Sequence, residues 1–232
     1  MNKGLFITGT DTGVGKTVIT GLLGKYLLVK GYNVITQKWI QTGCRDSLAS
    51  DIKLHLKVMR RGKNYLDGYF GLISPYIFKA PCSPHLASKI ENKIIYPDKI
   101  IKSFKLLSRR FDFIIVEGTG GALVPFNKKS LVIDLASQLD LAVLVVAQNK
   151  LGAINHTLLT IEALEKRKLK ILGIVFNNLQ KEDEIIVRDN PLIIKALTHQ
   201  KVFGILPWIE SYDKLYKKFI PIGKKIYKAL DI

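Results

Sequence analysis

Short apolar runs alternate with longer amphipathic stretches along the whole chain. Runs at 5–9, 33–39, 113–117, 141–147, 171–177 and 202–206 have strand length and are largely apolar, as strands buried on both faces are. Between and after them, the stretches 16–30, 49–60, 97–108, 131–138, 154–168, 191–198 and 212–230 predict helices, the one at 131–138 short. Strand–helix alternation of this kind predicts an α/β fold, with a mostly parallel central sheet and helices on both faces. Gly31 stands where a helix C-cap would precede the second strand. The least regular region, 62–94, carries Pro75, Pro81 and Pro84 and predicts a loop with one short helix after Ser83-Pro84. A loop that long inside a compact domain usually serves function. There is no repeat, low-complexity tract or boundary signal, so residues 1–232 are expected to form a single domain.

Composition changes this picture little. With 47% hydrophobic residues among 232, the chain can bury a sizeable core, and no apolar run approaches bilayer-crossing length. The chain opens Met-Asn-Lys and passes directly into a strand-like run, so no signal peptide is expected. Cys44 and Cys82 lie far apart and are expected to be reduced thiols that bind no metal, in a cytoplasmic protein. The formal charge of +17 raises the question of a polyanionic partner. Only seven of the 36 basic residues are arginine, however, and the lysines are spread over the length without interleaved aromatics. Neither a nucleic-acid nor a membrane partner is therefore expected, and the same field would favour a small anionic substrate.

The chemistry concentrates near the N-terminus, in Gly9-Thr10-Asp11-Thr12-Gly13-Val14-Gly15-Lys16-Thr17. A glycine-rich turn between strand and helix lets backbone N–H groups converge on phosphate oxygens, and the helix N-terminus adds partial positive charge. Lys16 would reach the β- and γ-phosphates, and the Thr17 hydroxyl would ligate Mg²⁺. The usual pattern, G-x-x-x-x-G-K-[ST], is shifted here: Thr10 occupies the first glycine position and Gly9 precedes it. A metal of this kind needs an acidic residue at the end of a neighbouring strand, and Glu117 is expected to emerge there, followed by Gly118, Thr119, Gly120 and Gly121. Asp51, at a helix start, is a further candidate. Lys38 closes the second strand and points into the same crevice, where a second ammonium would neutralise charge on a transferred phosphoryl group. His55, His85, His156 and His199 show no metal spacing, so packing or surface roles are expected of them.

Together these segments resemble the dethiobiotin synthetases, and the resemblance spans nearly the whole chain. The stretch 9–17 is similar to that family's variant P-loop, displaced glycine included. Lys38 with Gln41-Thr42-Gly43 resembles its Lys-Pro-x-x-Ser/Thr-Gly segment, although Trp39 replaces the usual proline. Ser50-Asp51 and Val116-Glu117-Gly118-Thr119-Gly120-Gly121 resemble its two metal segments, with Thr119 where alanine is common. Pro75-Tyr76 through Pro81-Cys82-Ser83-Pro84-His85 looks like its substrate-side loop. Lys150-Leu151-Gly152-Ala153-Ile154-Asn155-His156 looks like the stretch that meets the substrate carboxylate across a dimer interface.

The resemblance implies an ATP- and Mg²⁺-dependent ring closure of 7,8-diaminononanoate with CO₂ in biotin biosynthesis, by a homodimer with its site at the interface. It implies Lys38 and Lys16 as catalytic residues, and Thr17, Asp51 and Glu117 as metal ligands. Thr42, Leu151, Gly152, Ala153, Ile154 and Asn155 would meet the substrate. ATP would be held by Gly13, Val14, Gly15, Lys16, Thr17, Val18, Asp51, Glu117, Gly118, Thr119, Gly120, Asn177, Asn178, Pro207, Trp208 and Ile209, with Asn177 reading the adenine edge. The main rival is a partitioning-type P-loop switch ATPase that binds DNA or membrane. Such proteins usually carry a signature lysine where this chain has Asp11. A non-catalytic nucleotide-binding module would leave Lys38 and the 151–156 segment without a purpose.

Overall fold

The computed structural model describes residues 3–232. In chain order it runs β1 (Gly4–Gly9), α1 (Lys16–Val29), β2 (Val34–Lys38), β3 (Ile40–Gln41), α2 (Ser50–Met59), a 3₁₀ turn (Lys63–Leu66), α3 (Phe70–Ile73), β4 (Tyr76–Ile77), α4 (Pro84–Ile90) and α5 (Pro97–Leu107). It continues with β5 (Phe113–Gly121), α6 (Val132–Gln138), β6 (Ala142–Gln148), α7 (Ala153–Glu165), β7 (Ile171–Asn177), α8 (Glu184–Thr198), β8 (Val202–Leu206) and α9 (Tyr212–Leu230). Six strands form one sheet in the order β2-β5-β1-β6-β7-β8, every neighbouring pair parallel. The expected α/β architecture is therefore the one observed.

The strands are apolar on both faces because helices cover both. Successive side chains of β1 and β5 go to opposite layers: Leu5, Ile7, Phe113 and Ile115 join α1 and α9 through Leu22, Leu23 and Phe219. Phe6, Ile114 and Val116 join α5, α6 and α7 on the other face through Phe104, Leu135 and Ile161. Each such fully buried side chain contributes about 2 kcal/mol of transfer free energy. Helix α2 packs against α1 at close range. A Cβ at Gly21 would lie 2.8 Å from the Val58 Cβ and 3.4 Å from the His55 Cα, so glycine is what lets the two backbones approach.

Three expectations are corrected by the fold. Strand β5 does not end at Glu117 but runs on to Gly121, so Glu117 is interior to the sheet rather than emerging from it. Its register partners are Ile7 on β1 and Lys38, the last residue of β2. Helix α8 begins at Glu184, seven residues before Pro191, with the Asp183 side chain accepting from the Ile185 N–H. Proline inside a helix leaves the carbonyl four residues back without its donor. Here that carbonyl is Val187 O, and the Asn149 amide Nδ2 donates to it at 2.9 Å. Region 62–94 is more ordered than a loop with one helix. Besides the expected α4, it holds β4, which pairs in parallel with β3, and it buries Leu66, Ile73, Tyr76 and Phe78.

Candidate active site

The first βα connection is where the sheet reverses its winding direction, with β5 on one side of β1 and β6 on the other. The crevice beyond the strand ends at such a point is the general ligand site of open α/β sheets. Gly13 and Gly15 take positive φ values of 78° and 96°, and the N-terminus of α1 has no side-chain cap. Its free N–H groups are thus available to an anion. A Cβ at Gly15 would stand 2.0 Å from the Asn177 Nδ2, so the turn tolerates no side chain there. That same Nδ2 donates to Val14 O at 2.9 Å, bracing the loop from β7. The Lys16 ammonium donates back to Asp11 O at 2.8 Å across the loop mouth. Burial, with Lys38 nearby, lowers its pKa to about 8.

Beside the loop, three polar side chains converge on Glu117, which is only 2% exposed, and Asp51 joins them through Lys38. The Thr17 hydroxyl donates to Oε1 at 3.0 Å, and the Lys38 ammonium donates to the same oxygen at 3.0 Å. Lys38 also meets Asp51 Oδ2 at 2.7 Å and donates to Gly118 O at 2.7 Å. His55 Nε2 lies 2.7 Å from Glu117 Oε2. Burial alone would raise the Glu117 pKa. The Lys38 charge and the His55 hydrogen bond overcome that and hold the carboxyl far below the usual range. Burial likewise pulls Lys38 down, but Glu117 and Asp51 outweigh it and raise its pKa, so this lysine is a fixed cation. At 3% exposure it is not an ordinary solvent-facing strand-end lysine.

Lys16, Thr17, Lys38, Asp51 and Glu117 line one cavity of about 480 Å³, together with Thr12, Gly13, Gly15, Val18, Gln41, Thr42, Thr119 and Gly120. A second cavity of about 460 Å³ shares Thr12, Thr42, Thr119 and Gly120 with it and extends to Gly43, Pro81, Cys82, Ser83 and Val124. The small β3–β4 sheet builds this second compartment, because Gly43 N–H donates to Ala80 O and Cys44 N–H to Phe78 O. Thr119 fastens the shared wall by donating its hydroxyl to Ile40 O at 2.6 Å.

The other expected residues are placed differently. Val14 and Gly118 are buried beneath the cavity and present backbone carbonyls to Asn177 and Lys38. Asn178 N–H donates to Leu206 O, and its side-chain Oδ1 is buried without a partner among the described residues. Pro207, Trp208 and Ile209 follow β8, with Trp208 57% exposed. Leu151, Gly152, Ala153, Ile154 and Asn155 lie at the start of α7, where Gly152 has φ 84° and Leu151 is 77% exposed. Three participants went unexpected: Leu54 and Leu179, which line the first cavity, and His55. The signal for His55 lay four residues after Asp51, on the same face of a helix.

The donors suit a hard divalent cation: one hydroxyl and two carboxylates, with space for phosphate oxygens and no thiolate or free imidazole facing in. Thr17, Asp51 and Glu117 are thus chemically fitted to hold Mg²⁺ with a triphosphate.

The chain is similar to known proteins over most of its length. An AAA-domain family model matches residues 3–215. The ATP-dependent dethiobiotin synthetase BioD 2 of Haemophilus ducreyi is 37% identical over 200 residues, covering 86% of this chain and 94% of the relative. The ATP-dependent dethiobiotin synthetase BioD of Thermodesulfovibrio yellowstonii is 37% identical over 244 residues, covering 100% and 98%. Among solved structures, the MinC:MinD cell division complex of Aquifex aeolicus superposes with a TM-score of 0.62 at 16% identity, covering 99% of this chain and 96% of that one. At that identity the likeness is one of fold alone.

Proposed function

Because this chain belongs to the ATP-dependent dethiobiotin synthetase family, we propose that residues 1–232 act as one P-loop synthetase domain that carboxylates 7,8-diaminononanoate with CO₂ and closes the ring to dethiobiotin. The observation that carries the reading is the pair of adjoining cavities that meet at Thr12, Thr42, Thr119 and Gly120. One end is a phosphate cradle, and the other offers a compartment for a second substrate.

The chemistry requires such a junction. One amine captures CO₂ as a carbamate, whose oxygen attacks the γ-phosphate of ATP, releasing ADP and leaving a carbamic–phosphoric anhydride. The second amine then attacks the activated carbonyl, expels phosphate and completes the five-membered ring. A carbamate anion is a poor electrophile, so phosphorylation is what makes closure feasible. Two anions must meet in the middle step, and the fixed ammonium of Lys38, with Lys16 across the loop, offsets their repulsion. Thr17, Asp51 and Glu117 would hold Mg²⁺, which when bound would supply further charge neutralisation on the phosphates. Thr42, on the wall common to both cavities, orients the reacting nitrogen. Asn178 Oδ1 is an acceptor suited to an adenine amino group, whereas Asn177 commits one of the two N–H groups of its Nδ2 to Val14 O of the P-loop.

The homodimer reading rests on an exposed apolar face beside the P-loop. Leu123, Leu151 and Leu159 are 52%, 77% and 55% exposed. Leu123 and Leu159 border a hollow of about 340 Å³ that also includes Thr10, Asp11 and His156. A second copy would cover this face and bring Leu151–Asn155 and the N-terminus of its α7 toward the substrate carboxylate.

Purified protein given diaminononanoate, bicarbonate and Mg-ATP is expected to release phosphate only when all are present, with dethiobiotin found by mass spectrometry. Well-folded dimer that hydrolyses ATP at the same rate without the diamine would overturn the assignment.

A further inference from the structure

We propose that His55 is a positioning residue that decides which oxygen of Glu117 faces the metal and phosphates. The inference rests on the preceding reading of Glu117 as a metal ligand, and it concerns a side chain which that reading does not use.

The geometry divides the carboxylate into an anchored oxygen and a presented one. Oε1 is shared by the Thr17 hydroxyl and the Lys38 ammonium, both of which line the cavity. Oε2 meets His55 Nε2 at 2.7 Å. A carboxylate oxygen only accepts, so His55 donates to it through Nε2. Its other nitrogen, Nδ1, is buried with no partner among the described residues, so the ring is kept for one bond alone.

Two further features make the clamp rigid. His55 is completely buried, and it sits one helical turn beyond Asp51, so α2 delivers both side chains to the same cluster. The absence of a side chain at Gly21 lets α1 pack closely against α2 beside the His55 backbone. Without the clamp, a glutamate with flexible torsions could turn either oxygen toward Lys38. Partners of this kind, one bond removed from a metal, commonly govern metal affinity by 10–100-fold.

The test is calorimetric titration of ATP into the full-length protein with and without Mg²⁺, which separates metal-dependent from metal-independent affinity. His55→Leu is expected to reduce the Mg²⁺-dependent gain in ATP affinity about 10-fold and to leave metal-free affinity within about 2-fold. His55→Gln, whose amide nitrogen reaches about as far as Nε2, is expected to restore the gain to within about 3-fold. Equal losses in Leu and Gln variants, or a Leu variant with an unaltered gain, would overturn the proposal. Thermal melting identifies a Leu variant that does not fold. The decision then passes to Gln against Asn, which is one methylene too short: a gain kept by Gln and lost by Asn supports the clamp, and equal gains refute it. Wild-type protein with no Mg²⁺-dependent gain at all would instead remove the metal reading, and this inference with it.

Discussion

The two halves of the sheet hold their functional residues in opposite ways. On the β2–β5–β1 side, Lys38, Glu117, His55 and Thr17 are locked in one buried cluster with every distance at or below 3.0 Å. On the β6–β7–β8 side, two of the residues expected to meet ligands, Leu151 and Trp208, stand largely exposed, although Ala153 and Asn177 are buried. The first half is preorganised within one chain and suits charge stabilisation, which gains from donors that need not move. The second half suits groups completed by a ligand or a second copy. If this contrast is sound, substitutions on the two sides will damage different measurements.

The largest effect should come from Lys38→Ala. Lys38 is the cation common to Glu117 and Asp51, on the wall where the phosphoryl group would move. Turnover is expected to fall by about 10³-fold, the scale seen when a preorganised charge partner is lost. ATP affinity should change by less than about 3-fold, because the phosphate cradle belongs to the P-loop. Equal losses in binding and turnover would mean that Lys38 supports the site's structure, and the contrast between the halves would collapse. Some loss of melting temperature is expected as well, since Glu117 would stay buried with less compensation.

Next comes the exposed face. Leu159→Asp places a charge in a surface that a second copy is proposed to cover. Self-association is expected to weaken by at least about 100-fold, by the cost of desolvating an unpaired carboxylate. Sedimentation velocity would show this, with melting temperature and monomer ATP affinity nearly unchanged. A dimer of undiminished stability would mean that the interface lies elsewhere.

The third test concerns what holds the open half together. Asn149 is fully buried. It donates its Nδ2 to Val187 O, accepts from the Asn190 Nδ2, and its backbone N–H donates to Asn177 O. Asn149→Ala strips Val187 O of its donor and should cost about 2–3 kcal/mol in chemical denaturation. Pro191 is the reason that carbonyl needs a side-chain donor. In a Pro191→Ala background the helix can supply its own N–H, so the same Asn149→Ala change should cost about 1 kcal/mol less. An unchanged cost in both backgrounds would break the proposed link between the proline and the amide.

How much of this could be read beforehand follows the range of the interactions. The strands were legible because burial on both faces leaves an apolar run in the chain itself, and the P-loop because its chemistry is local. Glu117 was legible as a candidate but not in its setting, since its burial depends on β2 and β1 lying on either side. His55 and Asn149 were hidden for the same reason: their partners stand 62 and 38 residues away. Pro191 reads naturally as the first residue of a helix, and only the distant amide makes its interior position tolerable. The β3–β4 pair consists of two-residue strands, too short for any periodicity.

The smallest expected effect is at Trp208, and it sharpens the contrast most finely. Its side chain is 57% exposed on the connection between β8 and α9, whereas neighbouring Ile209 packs partly into the α1–α9 layer. The loop is therefore anchored by Ile209, and the indole adds an exposed flat apolar surface two residues beyond Leu206, whose carbonyl accepts from the Asn178 N–H. If the base is recognised mainly by polar groups such as the unpartnered Asn178 Oδ1, Trp208→Ala should raise the KM for ATP by no more than about 3-fold. That is the scale of one partly exposed apolar contact. Asn178→Ala should cost more and should reduce discrimination against GTP, because a carbonyl oxygen accepts from an adenine amino group but not from the guanine carbonyl. A loss of 10-fold or more at Trp208 would mean instead that the loop folds over the base when nucleotide binds. The open half would then be only momentarily open, and its difference from the buried cluster would be one of timing rather than of design.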